Sequence, residues 1–282
     1  MDPMISANAL AAIYRAPDVR ILDATWFLPN DPRDARAKYF EQRIPGALFF
    51  DIEEIADTSS PLPHMLPSAE KFAVRMRKLG IGDGAQIIVY DGLGVFSAAR
   101  VWWNLRVMGA RDVRVLDGGL PAWLGAGLPT ESGPPPAPME RHFTARVHQD
   151  LVRNLEDMRR AIAGGKAQIL DARPALRFRG EADEPRPGLR RGHMPGAINL
   201  PFSDVLTPDG LLRPAEDLRA RFEAAHVQLR KPIITSCGSG ISAAVLTLAL
   251  ARLGVLHASL YDGSWAEWGG RDDTPITLAD PA

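Results

Sequence analysis

Short, continuously apolar segments alternate with longer helical patterns along the chain. The segments QIIVYD (86–91) and KPIITSC (231–237) are apolar over several consecutive positions, which is typical of strands in a parallel sheet covered on both faces. Each precedes a helical pattern that ends at glycine, AARVWWNLRVMG (98–109) and SAAVLTLALARLG (242–254). Strand patterns follow again at VRVLDGG and ASLYDGS. This alternation predicts an α/β fold.

The second half of the chain repeats the first half in four blocks that keep the same order. The pairs are VRILDATW (19–26) with AQILDARP (167–174), RIPGALFFDI (43–52) with HMPGAINLPF (193–202), IIVYDGLGVFSAAR (87–100) with IITSCGSGISAAV (233–245), and LDGGLPAWLGAG (116–127) with YDGSWAEWGGRD (261–272). The blocks are offset by 148, 150, 146 and 145 residues. A repeat of this length predicts two tandem domains of ordinary size, each a mainly parallel sheet flanked by helices.

A proline-rich stretch marks the boundary between the two halves. ESGPPPAPME (131–140) holds four prolines and one glycine, a composition typical of an extended, semi-rigid linker. We therefore predict a first domain at 1–130, a linker at 131–143 and a second domain at 144–282. The pattern HFTARVHQD (142–150) predicts a strand leading into the second domain, and LVRNLEDMRRAIAGG (151–165) predicts its first helix.

Composition and charge exclude several classes of protein. Of 282 residues, 46% are hydrophobic, and 33 basic residues nearly balance 34 acidic ones for a net charge of −1, so nucleic acid and membranes are not expected partners. The N-terminal segment lacks the pattern of a secretory signal and predicts a helix capped near Ser6 or Asn8. One cysteine excludes an internal disulfide and favours the cytoplasm. A monomer is the expected state.

The single cysteine, Cys237, lies where a predicted strand gives way to a predicted helix. Gly238, Ser239 and Gly240 follow it, and such small residues let backbone N–H groups converge at a helix N-terminus, a setting that stabilises a thiolate nucleophile. A buried structural cysteine is the alternative interpretation. Asp91 occupies the matching position in the first half, so only the second half is expected to carry thiol chemistry.

Two kinds of phosphate site and the usual cofactor sites do not fit the sequence. A P-loop needs a lysine after the second glycine, and none follows Gly240. A cysteine phosphatase needs an arginine at the position that Ala243 occupies. No histidine–carboxylate cluster has metal-binding spacing and no glycine fingerprint indicates a dinucleotide, so neither a metal nor a cofactor is expected.

With its duplication and its cysteine loop, the chain resembles the tandem-rhodanese sulfurtransferases. CGSGISA (237–243) is similar to the CGSGVTA loop of the 3-mercaptopyruvate branch, with Ile241 and Ser242 as mild departures. The thiosulfate branch is expected to place basic residues where Gly238 and Ser239 stand. Three other segments also resemble the 3-mercaptopyruvate branch: DARPALRFRGEADEPRPGLRRGHMPGAINLPF (171–202), SPLPHMLPS (60–68) and YDGSWAEWG (261–269).

The resemblance implies a reaction and a set of site residues. The Cys237 thiolate would take sulfur from 3-mercaptopyruvate, release pyruvate, and pass the sulfur to a thiol such as thioredoxin, or to cyanide. Arg177 and Arg186 match the family's ligands for the substrate carboxylate and carbonyl, and Arg179 is the arginine most easily confused with them. The loop residues Gly238, Gly240, Ile241 and Ser242 complete the predicted substrate-binding set.

The resemblance also implies a proton relay of Ser239, His64 and Glu53, to which the first domain would contribute the last two. Structural packing is the alternative role for His64. His193 is interpreted as part of a structural turn, and Trp123 and Trp268, at matching repeat positions, as core residues.

Two other functions stay open at this level. The first is a thiosulfate sulfurtransferase, which the uncharged loop disfavours. The second is a sulfur-relay or binding module whose thiol only accepts sulfur from another protein, which the presence of Arg177, Arg186 and Ser239 disfavours.

Overall fold

The computed structural model of the chain describes residues 2–135 and 137–278. Residues 1, 136 and 279–282, at the ends of the predicted domains and in the predicted linker, lie outside the described residues. The chain divides into two compact units. The first comprises Met1–Thr58, Leu66–His148 and Pro208–Leu212, and the second comprises Ser59–Met65, Gln149–Thr207 and Arg213–Ala282.

The first unit is built around a five-stranded parallel sheet, counted over the described residues. Its strands are β1 (Met4–Ile5), β2 (Val19–Asp23), β3 (Leu48–Phe49), β4 (Gln86–Tyr90) and β5 (Asp112–Leu116). They are hydrogen-bonded in the order β1-β5-β4-β2-β3, and every pairing is parallel. The helices of this unit are α1 (Ala7–Ile13), α2 (Ala35–Glu41), α3 (Ala69–Lys78), α4 (Ser97–Val107) and α5 (Gly119–Gly125).

The second unit repeats this architecture with the same order of strands. Its strands are β6 (Val152–Arg153), β7 (Gln168–Asp171), β8 (Ile198–Asn199), β9 (Ile233–Ser236) and β10 (Ser259–Tyr261), ordered β6-β10-β9-β7-β8 and all parallel. The helices are α6 (Leu155–Gly164), α7 (Ala175–Phe178), α8 (Ala215–Ala224), α9 (Ile241–Arg252) and α10 (Ser264–Trp268), with 3₁₀ turns at Gln149–Leu151 and Phe202–Val205. The predicted α/β class with two mainly parallel sheets is confirmed.

Burial explains the apolar patterns that predict these elements. All four residues of β9 are buried, and ten of the twelve residues of α9 are buried, because β9 is central in its sheet and α9 covers it. At the chain start, the Ser6 side chain accepts a hydrogen bond from the N–H of Ala9 and caps α1. Trp123 and Trp268 are buried in the cores of their units, as predicted.

The segment after the proline-rich stretch differs from its sequence pattern. The structure has no strand over 142–148, within the described residues. Instead the N–H groups of Arg146 and His148 donate to the carbonyls of Met108 and Val107, at the end of α4. These bonds attach the segment to the first unit, which therefore extends to His148, whereas we predicted that the second domain begins at 144.

Candidate active site

The Cys237 loop connects the carboxyl end of β9 to the start of α9. Cys237 directly follows β9, and Gly240 caps α9 with a left-handed φ of 80°, a conformation that glycine adopts without steric cost. The backbone N–H of Gly240 donates to Cys237 Sγ at 3.1 Å. Cys237 is 2% exposed. The sulfur therefore lies buried at the N-terminus of α9 and accepts a hydrogen bond from a backbone amide there.

Helix α10 holds the loop from a second side. The N–H of Trp265 donates to the carbonyl of Cys237, and the N–H of Ala266 donates to that of Gly238, both at 2.9 Å. In the opposite direction, the N–H of Cys237 donates to Ser264 Oγ at 3.3 Å. Two backbone bonds and one bond to a side-chain hydroxyl therefore fix Cys237 and Gly238 against α10.

The remaining predicted loop residues follow Cys237 directly in the chain. Ser239 is buried, at 6% exposure, and Ile241 and Ser242 form the first turn of α9. Gly238 lies beside the Arg177 guanidinium, because a Cβ at position 238 would stand 3.1 Å from Arg177 Nη2. The structure thus brings one of the two predicted substrate arginines to the cysteine loop.

Arg177 belongs to a buried network of alternating charges. Glu184, whose side chain is 1% exposed, pairs with Arg177 Nη2 through one oxygen and with Arg173 Nη1 at 2.7 Å through the other. Arg173 also pairs with the buried Asp171 at 2.6 Å. Burial alone would lower the pKa of Arg173, but the Asp171 and Glu184 carboxylates outweigh it and raise that pKa above its ordinary value. Glu184 holds Arg177 in place and balances its charge.

The other predicted arginine, Arg186, contacts His64. Its Nη2 lies 3.2 Å from His64 Nε2, within hydrogen-bond distance. His64 is 4% exposed and lies in Ser59–Met65, the first-half segment that belongs to the second unit. Its φ is 60°, a left-handed conformation that is unfavourable for a non-glycine residue.

The remaining relay residue, Glu53, lies in the first unit. Its side chain is exposed, and its Oε1 accepts a hydrogen bond from the indole N–H of Trp26 at 2.8 Å. A three-residue relay of Ser239, His64 and Glu53 therefore stays a prediction.

The first unit carries an equivalent loop without a thiol. Asp91 follows β4 as Cys237 follows β9, and its carboxylate accepts hydrogen bonds from the N–H groups of Leu93 and Phe96 at 2.9 Å and of Ala98 at 2.8 Å. Burial raises the pKa of Asp91 to about 6, against the opposing effect of these amide donors. This loop therefore surrounds a carboxylate with amide donors where the second unit has a sulfur.

The contacts of His193 and Arg179 agree with the roles outside the substrate site that the sequence predicts for them. His193 stacks on Phe178 with ring centroids 3.8 Å apart, and its Nδ1 donates to the Phe178 carbonyl at 2.9 Å, which are the contacts of a packed turn residue. Arg179 lies at the surface and pairs with the exposed Glu181 at 2.7 Å. It is therefore distinguished from Arg177, which is joined to the buried network.

Comparison with known proteins establishes the family. The rhodanese-like domain family matches residues 6–126 and 154–271. This chain belongs to the rhodanese family.

Full-length relatives of the rhodanese chain include enzymes with named substrates. It is 47% identical over 96% of both chains to the 3-mercaptopyruvate sulfurtransferase of Escherichia coli K12. It is 40% identical to the mitochondrial thiosulfate/3-mercaptopyruvate sulfurtransferase 1 of Arabidopsis thaliana, over 98% of this chain and 78% of that one. The crystal structure of an E. coli 3-mercaptopyruvate sulfotransferase superposes with a TM-score of 0.86 at 44% identity, covering 94% of this chain and 99% of that one.

The rhodanese site contains two residues that our sequence reasoning did not select. Glu184 is one of several acidic residues in an arginine-rich segment, and only its burial singles it out. Ser264 has a clearer signal, because the matching position in the first repeat is Gly119. A serine that replaces a glycine at a turn indicates that the hydroxyl is used.

The described part of this rhodanese chain contains neither a metal-binding cluster nor a membrane-spanning helix. Over residues 2–135 and 137–278, no group of three or more histidine, cysteine or acidic side chains is arranged to hold a metal ion. None of the helices in the same ranges has both the length and the apolar character that a membrane crossing requires.

Proposed function

We propose that this chain is a sulfurtransferase that takes sulfur from 3-mercaptopyruvate and carries it as a persulfide on Cys237. The supporting observation is the position of the only thiol in the sequence. It lies 3.1 Å from a helix N-terminal amide, in a loop that lies beside the Arg177 guanidinium. The full-length identity to enzymes named for this substrate supports the same assignment.

The chemistry needs a sulfur nucleophile and a place for a developing enolate. The Cys237 thiolate forms an S–S bond to the substrate sulfur while the C–S bond of 3-mercaptopyruvate breaks. The electron pair of that bond passes to carbon as the enolate of pyruvate, which takes up a proton to give pyruvate. The thiol proton of the substrate balances this uptake and leaves a Cys237 persulfide anion, which amide donors at the loop stabilise.

The substrate is a small monocarboxylate, and Arg177 and Arg186 are proposed to bind it. A guanidinium pairs with a carboxylate through two parallel N–H groups. Glu184 already balances part of the Arg177 charge, and the loop side chains after the cysteine carry no charge, which disfavours a dianion such as thiosulfate. Gly238, Gly240, Ile241 and Ser242 are proposed to line the site with backbone groups.

Ser239, His64 and Glu53 are proposed to guide the proton that passes from the substrate thiol to the enolate next to the carbonyl, since a hydroxyl and an imidazole can pass a proton between them. We expect the sulfur acceptor to be a thiol such as thioredoxin, or cyanide, and the chain to act as a cytoplasmic monomer, with the catalytic thiol in the second domain.

Pyruvate release tests the assignment directly. We expect the chain to release pyruvate from 3-mercaptopyruvate with dithiothreitol or cyanide as acceptor, and to turn over thiosulfate much more slowly. A preference for thiosulfate would contradict the proposed substrate. Turnover of neither, with sulfur still accepted from a persulfidated protein, would indicate the relay module instead.

The left-handed backbone of His64 allows its side chain to be tested without loss of the fold. Glycine relieves the unfavourable φ, which offsets part of the stability that is lost with the buried imidazole and its contact with Arg186. If the imidazole transfers a proton, kcat should fall by about 10²-fold. His226, which is exposed and also has a φ of 60°, provides the matched control His226→Gly. Unchanged kcat in both variants would assign His64 a packing role.

A further inference from the structure

The catalytic unit keeps a serine in a backbone conformation for which the first unit uses glycine. Ser264 has a φ of 49° and Gly119 a φ of 55°. Over residues 2–135 and 137–278, only three non-glycine residues have a positive φ, namely His64, His226 and Ser264. A non-glycine residue in this region costs free energy and persists where its surroundings or its function require it.

The two positions are structurally equivalent because the following residue makes the same bond in each unit. The N–H of Leu120 donates to the carbonyl of Asp91, and the N–H of Trp265 donates to the carbonyl of Cys237, both at 2.9 Å. The position therefore supports the loop after the central strand in both units, and only the unit with the thiol has a side chain there.

The Ser264 side chain uses its hydroxyl for two backbone bonds. It accepts the N–H of Cys237 at 3.3 Å and donates to the carbonyl of Tyr261 at 2.9 Å. The residue is completely buried. The hydroxyl thus joins the end of β10 to the amide of the cysteine itself.

We propose that Ser264 is a positioning residue for Cys237, which its hydroxyl holds by the backbone N–H so that Sγ stays against the amide of Gly240. This inference rests on the proposed role of Cys237 as the sulfur carrier. The hydroxyl acts through the cysteine backbone, so it affects the step in which the S–S bond forms and leaves substrate binding unchanged.

Ser264→Gly removes the hydroxyl and the unfavourable φ together. The relieved strain offsets part of the two hydrogen bonds that are lost with the buried hydroxyl, so we expect Ser264→Gly to unfold at a higher temperature than Ser264→Ala. The single-turnover rate of pyruvate release should fall about fivefold, the effect of one lost hydrogen bond, with KM unchanged. Ser264→Ala removes the hydroxyl but keeps the strain, so its rate should fall similarly while its unfolding temperature falls. A purely structural serine would lower stability in both variants and leave the rate unchanged.

A second buried serine provides the control. Ser259 is 2% exposed and its hydroxyl donates to the Ile233 carbonyl at 3.4 Å, so Ser259→Ala also removes a buried hydroxyl and should keep the full rate. An unchanged rate in Ser264→Gly, or a change in KM alone, overturns the proposal. If the wild type does not turn over 3-mercaptopyruvate, the proposed function fails instead, and the two failures are therefore distinguishable.

Discussion

Replacing Cys237 with serine is expected to reduce pyruvate release from 3-mercaptopyruvate by at least about 10³-fold, because a hydroxyl is a weaker nucleophile and cannot carry sulfur as a persulfide. The exchange changes one buried atom in a loop held mainly by backbone bonds. We therefore expect the Cys237→Ser chain to fold and unfold like the wild type.

The sulfur carrier can be identified by mass because the sequence contains one cysteine. After reaction with 3-mercaptopyruvate and removal of the substrate, the wild-type chain should gain the mass of one sulfur atom, and a thiol or cyanide should remove it. Cys237→Ser should gain nothing. Full turnover in the serine variant, or sulfur on any other residue, would contradict the proposed mechanism.

Replacing Arg177 with alanine is expected to lower kcat/KM for 3-mercaptopyruvate by about 10²-fold, since a charge-assisted bond to the substrate carboxylate contributes roughly 1.5–3 kcal/mol. Arg186→Ala should have a comparable effect if Arg186 binds the same substrate. Arg179→Ala is the matched control two positions along the chain, because its partner Glu181 is exposed, and we expect its kinetics to be unchanged.

Stability must be measured beside these kinetics. Removing Arg177 leaves the buried Glu184 with Arg173 as its partner, and breaking a buried ion pair destabilises a fold. Steady-state kinetics well below the unfolding temperature separate the two effects. A loss in Arg179→Ala as large as in Arg177→Ala would show that general positive charge, and not the contact with the loop, determines binding.

Much of the fold follows from local pattern. The apolar run before Cys237 predicts a central parallel strand because β9 is buried on both faces. The short edge strand β1, two residues long, has no such pattern, because a strand this short shows no periodicity. The segment 142–148 has a strand-like sequence but makes its hydrogen bonds to the end of α4, which is a tertiary contact that local sequence does not encode.

Less of the candidate site than of the fold could be predicted from the sequence. Cys237 is marked by being the only cysteine and by the glycines beside it, and the choice of Arg177 among six nearby arginines depended on family resemblance. Its partner Glu184 could not be selected, since burial at 1% is a property of the folded chain. His64 lies in Ser59–Met65, a segment from the first half of the sequence that packs with the second unit. The repeat pattern gives no sign of this exchange.

The Asp91 loop also shows what this type of loop does with a negative charge. Three amide N–H groups converge there on a carboxylate that is part of the chain, and with a pKa of about 6 it is mostly ionised at neutral pH. That charge belongs to a side chain of the protein itself, so the first loop is occupied from the moment the chain folds. In the proposed cycle the second loop instead holds a charge that is renewed in each turnover, first on a thiolate and then on a persulfide. The same duplicated loop thus binds a fixed side-chain carboxylate in one unit and, in the proposed cycle, a sulfur anion that is formed again in each turnover in the other.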